Sequence, residues 1–216
     1  IDLWSPRLLA GISAGEDGEF PASRDAMLAR FCRAKQRGAD ILATPTGHAS
    51  QVLLQKAGLE GEMEQINTTF TQLTRQAAGT HGLVAGTLAP AGLELEPYGE
   101  ASFIELMAIY RAQGSCLAKA GVDCFLVETS SALQYARCAV LALRKLKLPI
   151  LASVRLDQDG ELRHGGTALN ALTVLQALGV SAFGLRGDYD REDLEEMVEG
   201  LAQMAKVPLM VQPAKY

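Results

Sequence analysis

Short apolar runs recur along the chain, each rich in β-branched and aliphatic residues and each followed by a helical pattern. Their nearly continuous apolar character is typical of strands that are covered on both faces of a parallel sheet. The pattern predicts strands at Arg7–Gly11, Asp40–Thr44, Gly82–Thr87, Cys124–Glu128, Ile150–Arg155, Ala182–Arg186 and Pro208–Gln212.

Between these runs, apolar residues recur at every third or fourth position, which predicts helices. Phe103, Leu106, Tyr110 and Leu117 form the longest stripe, and Gly121 is a helix stop that leads into the next strand. Strand and helix therefore alternate, which predicts an α/β fold. No glycine-rich phosphate loop follows the first strand, so a TIM-type (β/α) barrel is favoured over a doubly wound sheet.

The barrel prediction leaves one strand unaccounted for. Seven β/α units are visible in the 216 residues, whereas a closed barrel of this type has about eight strands. Either the eighth strand has been cut away, or a partner supplies it, or the barrel stays open. No linker or repeat marks a second domain, so residues 1–216 are expected to form a single barrel domain that is incomplete at its C-terminus.

Composition narrows the class of protein. Hydrophobic residues make up 48% of the chain, which is enough for one large core. The net charge is −5, with 25 acidic and 20 basic residues, so a nucleic-acid partner is not expected. The apolar runs fall short of the roughly 20 residues that span a bilayer, so no membrane association is expected either.

The cysteines indicate the compartment. Cys32, Cys116, Cys124 and Cys138 are scattered and form no CxxC pair. We expect reduced thiols in a cytoplasmic protein, each buried as a small hydrophobic side chain.

Barrel enzymes place their chemistry just past the carboxyl ends of the strands. The substrate-binding residues predicted on that basis are Thr44, Thr87, Glu128, Thr129, Arg155 and Arg186. His48 lies in the same region, but no second ligand stands at metal spacing from it.

Two of these residues have alternative interpretations. Glu128 either binds a substrate amine or acts as a carboxylate at a helix N-terminus. Arg186 either binds an anionic or carboxylate-bearing small molecule, with Glu128 opposite, or pairs with Asp188 or Asp190 on the rim.

Several motifs occur in the order seen in one known family. The most specific are Ala120-Gly-Val-Asp-Cys-Phe-Leu-Val-Glu-Thr129 and Val84-Ala-Gly-Thr-Leu-Ala-Pro90, accompanied by Ile66-Asn67 and Tyr110-Arg-Ala-Gln113. In this collinear order the chain resembles the homocysteine S-methyltransferase domain over nearly its whole length.

The resemblance implies a (β/α)8 barrel in which zinc, held by three cysteine thiolates, activates the thiol of homocysteine for attack on a methyl donor. The family's donors are methylcorrinoid, betaine or S-methylmethionine. Glu128 would contact the amino group of the amino-acid substrate. A corrinoid protein or other partner chain, or self-association, is also expected.

The chain departs from the family at its catalytic positions. Arg186-Gly187 stands where the family has Asn-Cys, and Ala10-Gly11 stands where it has Asp-Gly. The family's paired cysteines on the eighth strand fall beyond Tyr216. We therefore predict no zinc site and no cofactor in this chain. Two functions remain open: a methyltransferase acting on a thiol such as homocysteine, or a non-catalytic module that binds an anionic, amino-acid-like ligand or a partner.

Overall fold

In the computed structural model, residues 23–128, 132–157, 160–187 and 189–213 are described. They form six strands: β1 Ile41–Ala43, β2 Leu83–Leu88, β3 Cys124–Val127, β4 Ile150–Val154, β5 Ala182–Gly187 and β6 Leu209–Pro213. The helices are α1 Arg24–Gln36, α2 Gln51–Lys56, α3 Met63–Ala78, α4 Phe103–Ala120, α5 Leu133–Leu143, α6 Ala168–Ala177 and α7 Arg191–Ala202. A 3₁₀ turn at Arg144–Leu146 follows α5.

The six strands form one parallel sheet in the sequential order β1-β2-β3-β4-β5-β6. A doubly wound sheet would reverse its strand order, whereas consecutive neighbours joined by helices are the arrangement of a barrel. The α/β class and six of the predicted strands are thus confirmed, and the described chain forms half a barrel. The remaining predicted strand, Arg7–Gly11, lies outside the described residues. A barrel of seven β/α units therefore stays a prediction.

The two faces of the sheet differ. Side chains such as Val84, Phe125, Ala152 and Phe183 pack with the helices in the main hydrophobic core. Alternate residues point to the other face, where a smaller cluster joins the three strands β2, β3 and β4 through Ala85, Cys124, Leu126 and the partly buried Leu151. We call this second face the interior face, since it faces away from the helices.

Local signals explain where several helices begin and end. The side chains of Ser50, Ser102 and Thr167 cap α2, α4 and α6 by accepting hydrogen bonds from backbone N–H groups of the first turn. Gly121 ends α4 in the left-handed conformation with a φ of 92°, as its position in the sequence predicts.

One prediction about the core is wrong. Cys116, Cys124 and Cys138 are buried, but Cys32 is exposed. It lies on α1, a helix that buries Met27 and leaves most of its other residues in contact with water. Small size therefore did not bring this thiol into the core, because α1 packs mainly on α3 and buries only a narrow face there.

Candidate active site at the strand ends

The carboxyl ends of the strands lie at one edge of the sheet, which we call the mouth. Leu126 and Glu128 are two residues apart and share the interior face, as do Ser153 and Arg155 at the end of β4. Arg186 takes the same face at the end of β5, because its neighbours Phe183 and Leu185 both pack with the helices. Charged side chains from three strands are thereby directed over one patch of the interior face.

Glu128 and Arg186 form an ion pair across this patch. Arg186 Nη1 lies 3.6 Å from Glu128 Oε2, and their side chains are 29% and 15% exposed. The predicted placement of Glu128 opposite Arg186 thus has a geometric basis. The alternative pairing of Arg186 with Asp188 involves a residue outside those described.

The loss of hydration largely sets how much this ion pair contributes to stability. Two charges largely shielded from solvent lose hydration that their mutual attraction only roughly offsets, so the pair adds little net stability. Either charge left alone at the same depth would be far more costly. A group that brought both a positive and a negative charge could therefore replace the pair at small cost.

His48 lies in the loop between β1 and α2 and borders the same patch. Its Nδ1 is buried and has no hydrogen-bond partner among the described residues. Burial, and secondarily the positive charge of Arg186, lower the pKa of His48 below its ordinary value of 6.5. The imidazole is therefore neutral at pH 7.

This shift makes a pH-dependent contribution to stability. Because the folded-state pKa lies below the unfolded value, the unfolded chain binds the proton more readily, and stability falls as the pH drops below 6.5. We expect wild type to lose more free energy of unfolding than His48→Gln between about pH 7.5 and about pH 5.5. Urea unfolding at the two pH values measures the difference, and equal losses in both proteins would contradict the assignment.

Two buried side-chain amides hold the loop that carries His48. Gln113 on α4 donates through Nε2 to the Thr46 carbonyl at 2.7 Å and to Asn67 Oδ1 at 3.3 Å. Asn67 on α3 donates to the carbonyls of Ala49 and Met63 at 2.9 and 2.8 Å. The motif residues Asn67 and Gln113 therefore hold the β1–α2 loop in place.

Thr44 belongs to the same support. Its hydroxyl accepts a hydrogen bond from the Thr87 backbone N–H at 3.0 Å and lies 2.6 Å from the Thr46 hydroxyl. Thr46 Oγ1 in turn donates to the Thr87 carbonyl at 2.9 Å. The Thr44 hydroxyl thus joins the ends of β1 and β2, and its predicted contact with substrate stays a prediction.

The remaining predicted residues occupy different places. Thr87 is buried on the interior face, and its hydroxyl has no partner in the described part of the chain. Arg155 is exposed at the end of β4. Thr129 lies outside the described residues.

Ser153 is a mouth residue that the sequence did not single out. It lies within β4, is 1% exposed, and its hydroxyl also lacks a partner among the residues that the structure describes. Sequence reasoning passed over Ser153 because it lies within the apolar run Ile150–Val154. Its position two residues before Arg155 could have identified it, since residues two apart in a strand share one face of the sheet.

Two loops at the mouth are tied together. The rings of Tyr98, after β2, and His164, after β4, stack with centroids 3.7 Å apart and 12° between their planes. Arg163 Nη1 lies 3.4 Å from Glu94 Oε1, and the Tyr135 hydroxyl of α5 donates to the other oxygen of Glu94. His164 is exposed to solvent and still makes this stacking contact.

The thiols lie away from the mouth. Cys124 opens β3 at the opposite end of the strand, and Cys32, Cys116 and Cys138 lie on helices. Burial, and secondarily the Asp123 carboxylate, raise the pKa of Cys124 to about 11, and burial raises the pKa of Cys138 to about 12. Both thiols are therefore protonated at neutral pH.

A zinc site of three thiolates does not fit this donor set. Within residues 23–128, 132–157, 160–187 and 189–213, no group of three or more His, Cys, Asp or Glu side chains is placed to hold a metal ion. At the end of β5, Arg186 and Gly187 occupy the positions at which the family has Asn and Cys.

None of the helices in the described ranges combines the length and the apolar character needed to cross a membrane.

Curated relatives are identical to this chain at about a quarter of the aligned positions. Methionine synthase of Mycobacterium tuberculosis is 25% identical over 190 residues, which cover 82% of this chain and 16% of that protein. S-methylmethionine–homocysteine S-methyltransferase BHMT2 of Rattus norvegicus is 26% identical over 216 residues, covering 97% and 54%. Betaine–homocysteine S-methyltransferase 1 of Sus scrofa is 28% identical over 210 residues, covering 92% and 72%.

The chain thus spans about a sixth of the mycobacterial methionine synthase and about half of the rat enzyme. Among solved structures, the metallated form of the homocysteine methyltransferase MmuM from Escherichia coli superposes with a TM-score of 0.75 at 21% identity. The match covers 88% of this chain and 72% of that one, which shows the shared fold. The sequence profile of the homocysteine S-methyltransferase family matches residues 3–215, and the chain belongs to that family.

Proposed function

We propose that this chain binds a small zwitterionic amino acid at the mouth, between Glu128 and Arg186. The observation that carries the proposal is the ion pair itself, with 3.6 Å between its charged atoms and both side chains mostly shielded from water. The ammonium group of the ligand would replace Arg186 beside Glu128, and its carboxylate would replace Glu128 beside Arg186.

The exchange conserves charge. A zwitterion brings one positive and one negative group, so neither protein side chain is left unpaired when their own contact opens. A guanidinium presents a fork of donors that matches a carboxylate, which makes Arg186 the side chain for the ligand's acidic end. Glu128 then serves the amine, the role that the family resemblance implies for it.

The family supports homocysteine as the amino acid. The similar proteins are named for methionine synthesis or for methyl transfer to homocysteine from betaine or S-methylmethionine. Because the described donor set does not fit a thiolate zinc site, we propose that binding here proceeds without zinc held by these residues. A cytoplasmic location and a corrinoid-protein or self-association partner stay predictions.

Isothermal titration calorimetry with L-homocysteine tests the proposal. Arg186→Ala is expected to weaken binding by at least about tenfold, the effect of losing one charge-assisted contact of roughly 1.4 kcal/mol. Arg191→Ala removes an exposed arginine that pairs with Glu195 on α7, and serves as the matched control with unchanged affinity. No binding to wild type, or equal binding to both variants, would overturn the proposal.

Methyl transfer is the second candidate, and family membership favours it. Metal analysis of the purified protein, followed by assays with homocysteine and betaine, S-methylmethionine or a methylcorrinoid, separates the two. Stoichiometric zinc together with turnover would establish the enzyme and reject zinc-free binding. Binding with neither metal nor turnover would establish a binding module.

A further inference from the structure

Ser153 lies on the interior face of β4, between the strand that leads to Glu128 and the strand that carries Arg186. In the register of the sheet, Val127 is beside Ala152, so Glu128 comes beside Ser153, and Ser153 itself is beside Gly184. Ala152 and Val154 pack with the helices, and Leu151 packs in the interior cluster. Ser153 therefore projects to the side on which the ion pair is found.

The ion pair spans the strand that carries this serine. Glu128 follows β3 and Arg186 belongs to β5, so the pair bridges the two strands that flank β4. Adjacent strands are about 4.8 Å apart, and along them Glu128 is level with Ser153 while Arg186 is two residues beyond its neighbour Gly184. Ser153 itself is only 1% exposed.

The hydroxyl of Ser153 is buried without a hydrogen-bond partner among the described residues. A buried hydroxyl in that state destabilises the folded protein, and alanine would fill the position without this cost. The unpartnered hydroxyl has the capacity to accept a hydrogen bond from a donor that enters beside Glu128.

We propose that Ser153 is a ligand-binding residue that accepts a hydrogen bond from the ammonium group of the bound amino acid. The inference rests on the proposed function, in which the zwitterion separates Glu128 from Arg186 and places its ammonium group beside Glu128, level with Ser153. A primary ammonium has three N–H donors, and Glu128 with Ser153 supplies acceptors for two of them. The site therefore selects ligands with a free α-amino group.

The test compares two probes by isothermal titration calorimetry. L-homocysteine carries the ammonium group, and 4-mercaptobutanoate is the same molecule without it. Ser153→Ala is expected to weaken L-homocysteine about tenfold and to leave 4-mercaptobutanoate unchanged, while Ser153→Thr keeps the hydroxyl and restores affinity for L-homocysteine. Ser115→Ala, on α4 away from the mouth, is the matched control.

Thermal unfolding of the unliganded proteins gives the independent readout. Removal of an unpartnered hydroxyl is expected to leave the melting temperature of Ser153→Ala at or above that of wild type. A lower melting temperature, or equal weakening of both probes, would overturn the proposal by showing a structural role. If L-homocysteine binds wild type and responds to Arg186→Ala but not to Ser153→Ala, the proposed function stands and this inference alone fails.

Discussion

Glu128→Gln is expected to weaken the binding of L-homocysteine by at least about thirtyfold and to strengthen the binding of 4-mercaptobutanoate. The first effect follows because the ammonium group loses its charged partner, a change that costs about 2 kcal/mol or more at a shielded site. The second follows because the substitution removes the Glu128 carboxylate that competes with the ligand's carboxylate for Arg186. Calorimetric titration of both ligands measures the two effects together.

The two affinities are expected to change in opposite directions, which a nonspecific effect of the substitution would not produce. A general disturbance of the mouth would weaken both ligands, and that outcome would show that Glu128 acts by holding Arg186 in place. Unchanged affinity for both ligands would remove Glu128 from the site. Glu195→Gln, which loses an exposed carboxylate paired with Arg191, provides the matched control.

Asn67→Leu is expected to lower the free energy of unfolding by about 2 to 4 kcal/mol. The wild-type amide is fully buried and satisfies the carbonyls of Ala49 and Met63 as well as the side chain of Gln113. Leucine offers none of these hydrogen bonds, so buried polar groups lose their partners at about 1 to 3 kcal/mol each. Urea unfolding of the two proteins gives the difference.

Gln65→Leu is the control on the same helix, because Gln65 is exposed. Its effect is expected to stay within about 0.5 kcal/mol. The Asn67 variant should also move the NMR resonances of His48, since the loop that carries this residue loses its support. A stable Asn67→Leu protein with unchanged His48 resonances would contradict the role assigned to the buried amides.

The sheet could be predicted from the sequence for a simple physical reason. Strands covered on both faces need continuous apolar runs, and Cys124–Val127 and Ile150–Val154 carry that signal without interruption. The first strand in the structure, Ile41–Ala43, is shorter than predicted because Thr44 turns its hydroxyl to the backbone of β2 and begins the loop. Propensity does not encode that contact.

The sequence predicted which residues lie at the candidate site, but not which of them are in contact. Glu128 and Arg186 were expected at the mouth because each ends a strand, but their contact depends on the relative stagger of β3 and β5, which no local pattern specifies. Asn67 and Gln113 stood out as motif residues, yet their role depends on α3 and α4 meeting the same loop. Cys32 was predicted wrongly for a related reason, since the orientation of α1 decides its exposure.

The stack of Tyr98 on His164 couples the loops that follow β2 and β4, since the contact of Arg163 with Glu94 joins the same two loops a second time. A ligand or a substitution that displaces one of these loops is therefore expected to displace the other, because the two segments move as one unit.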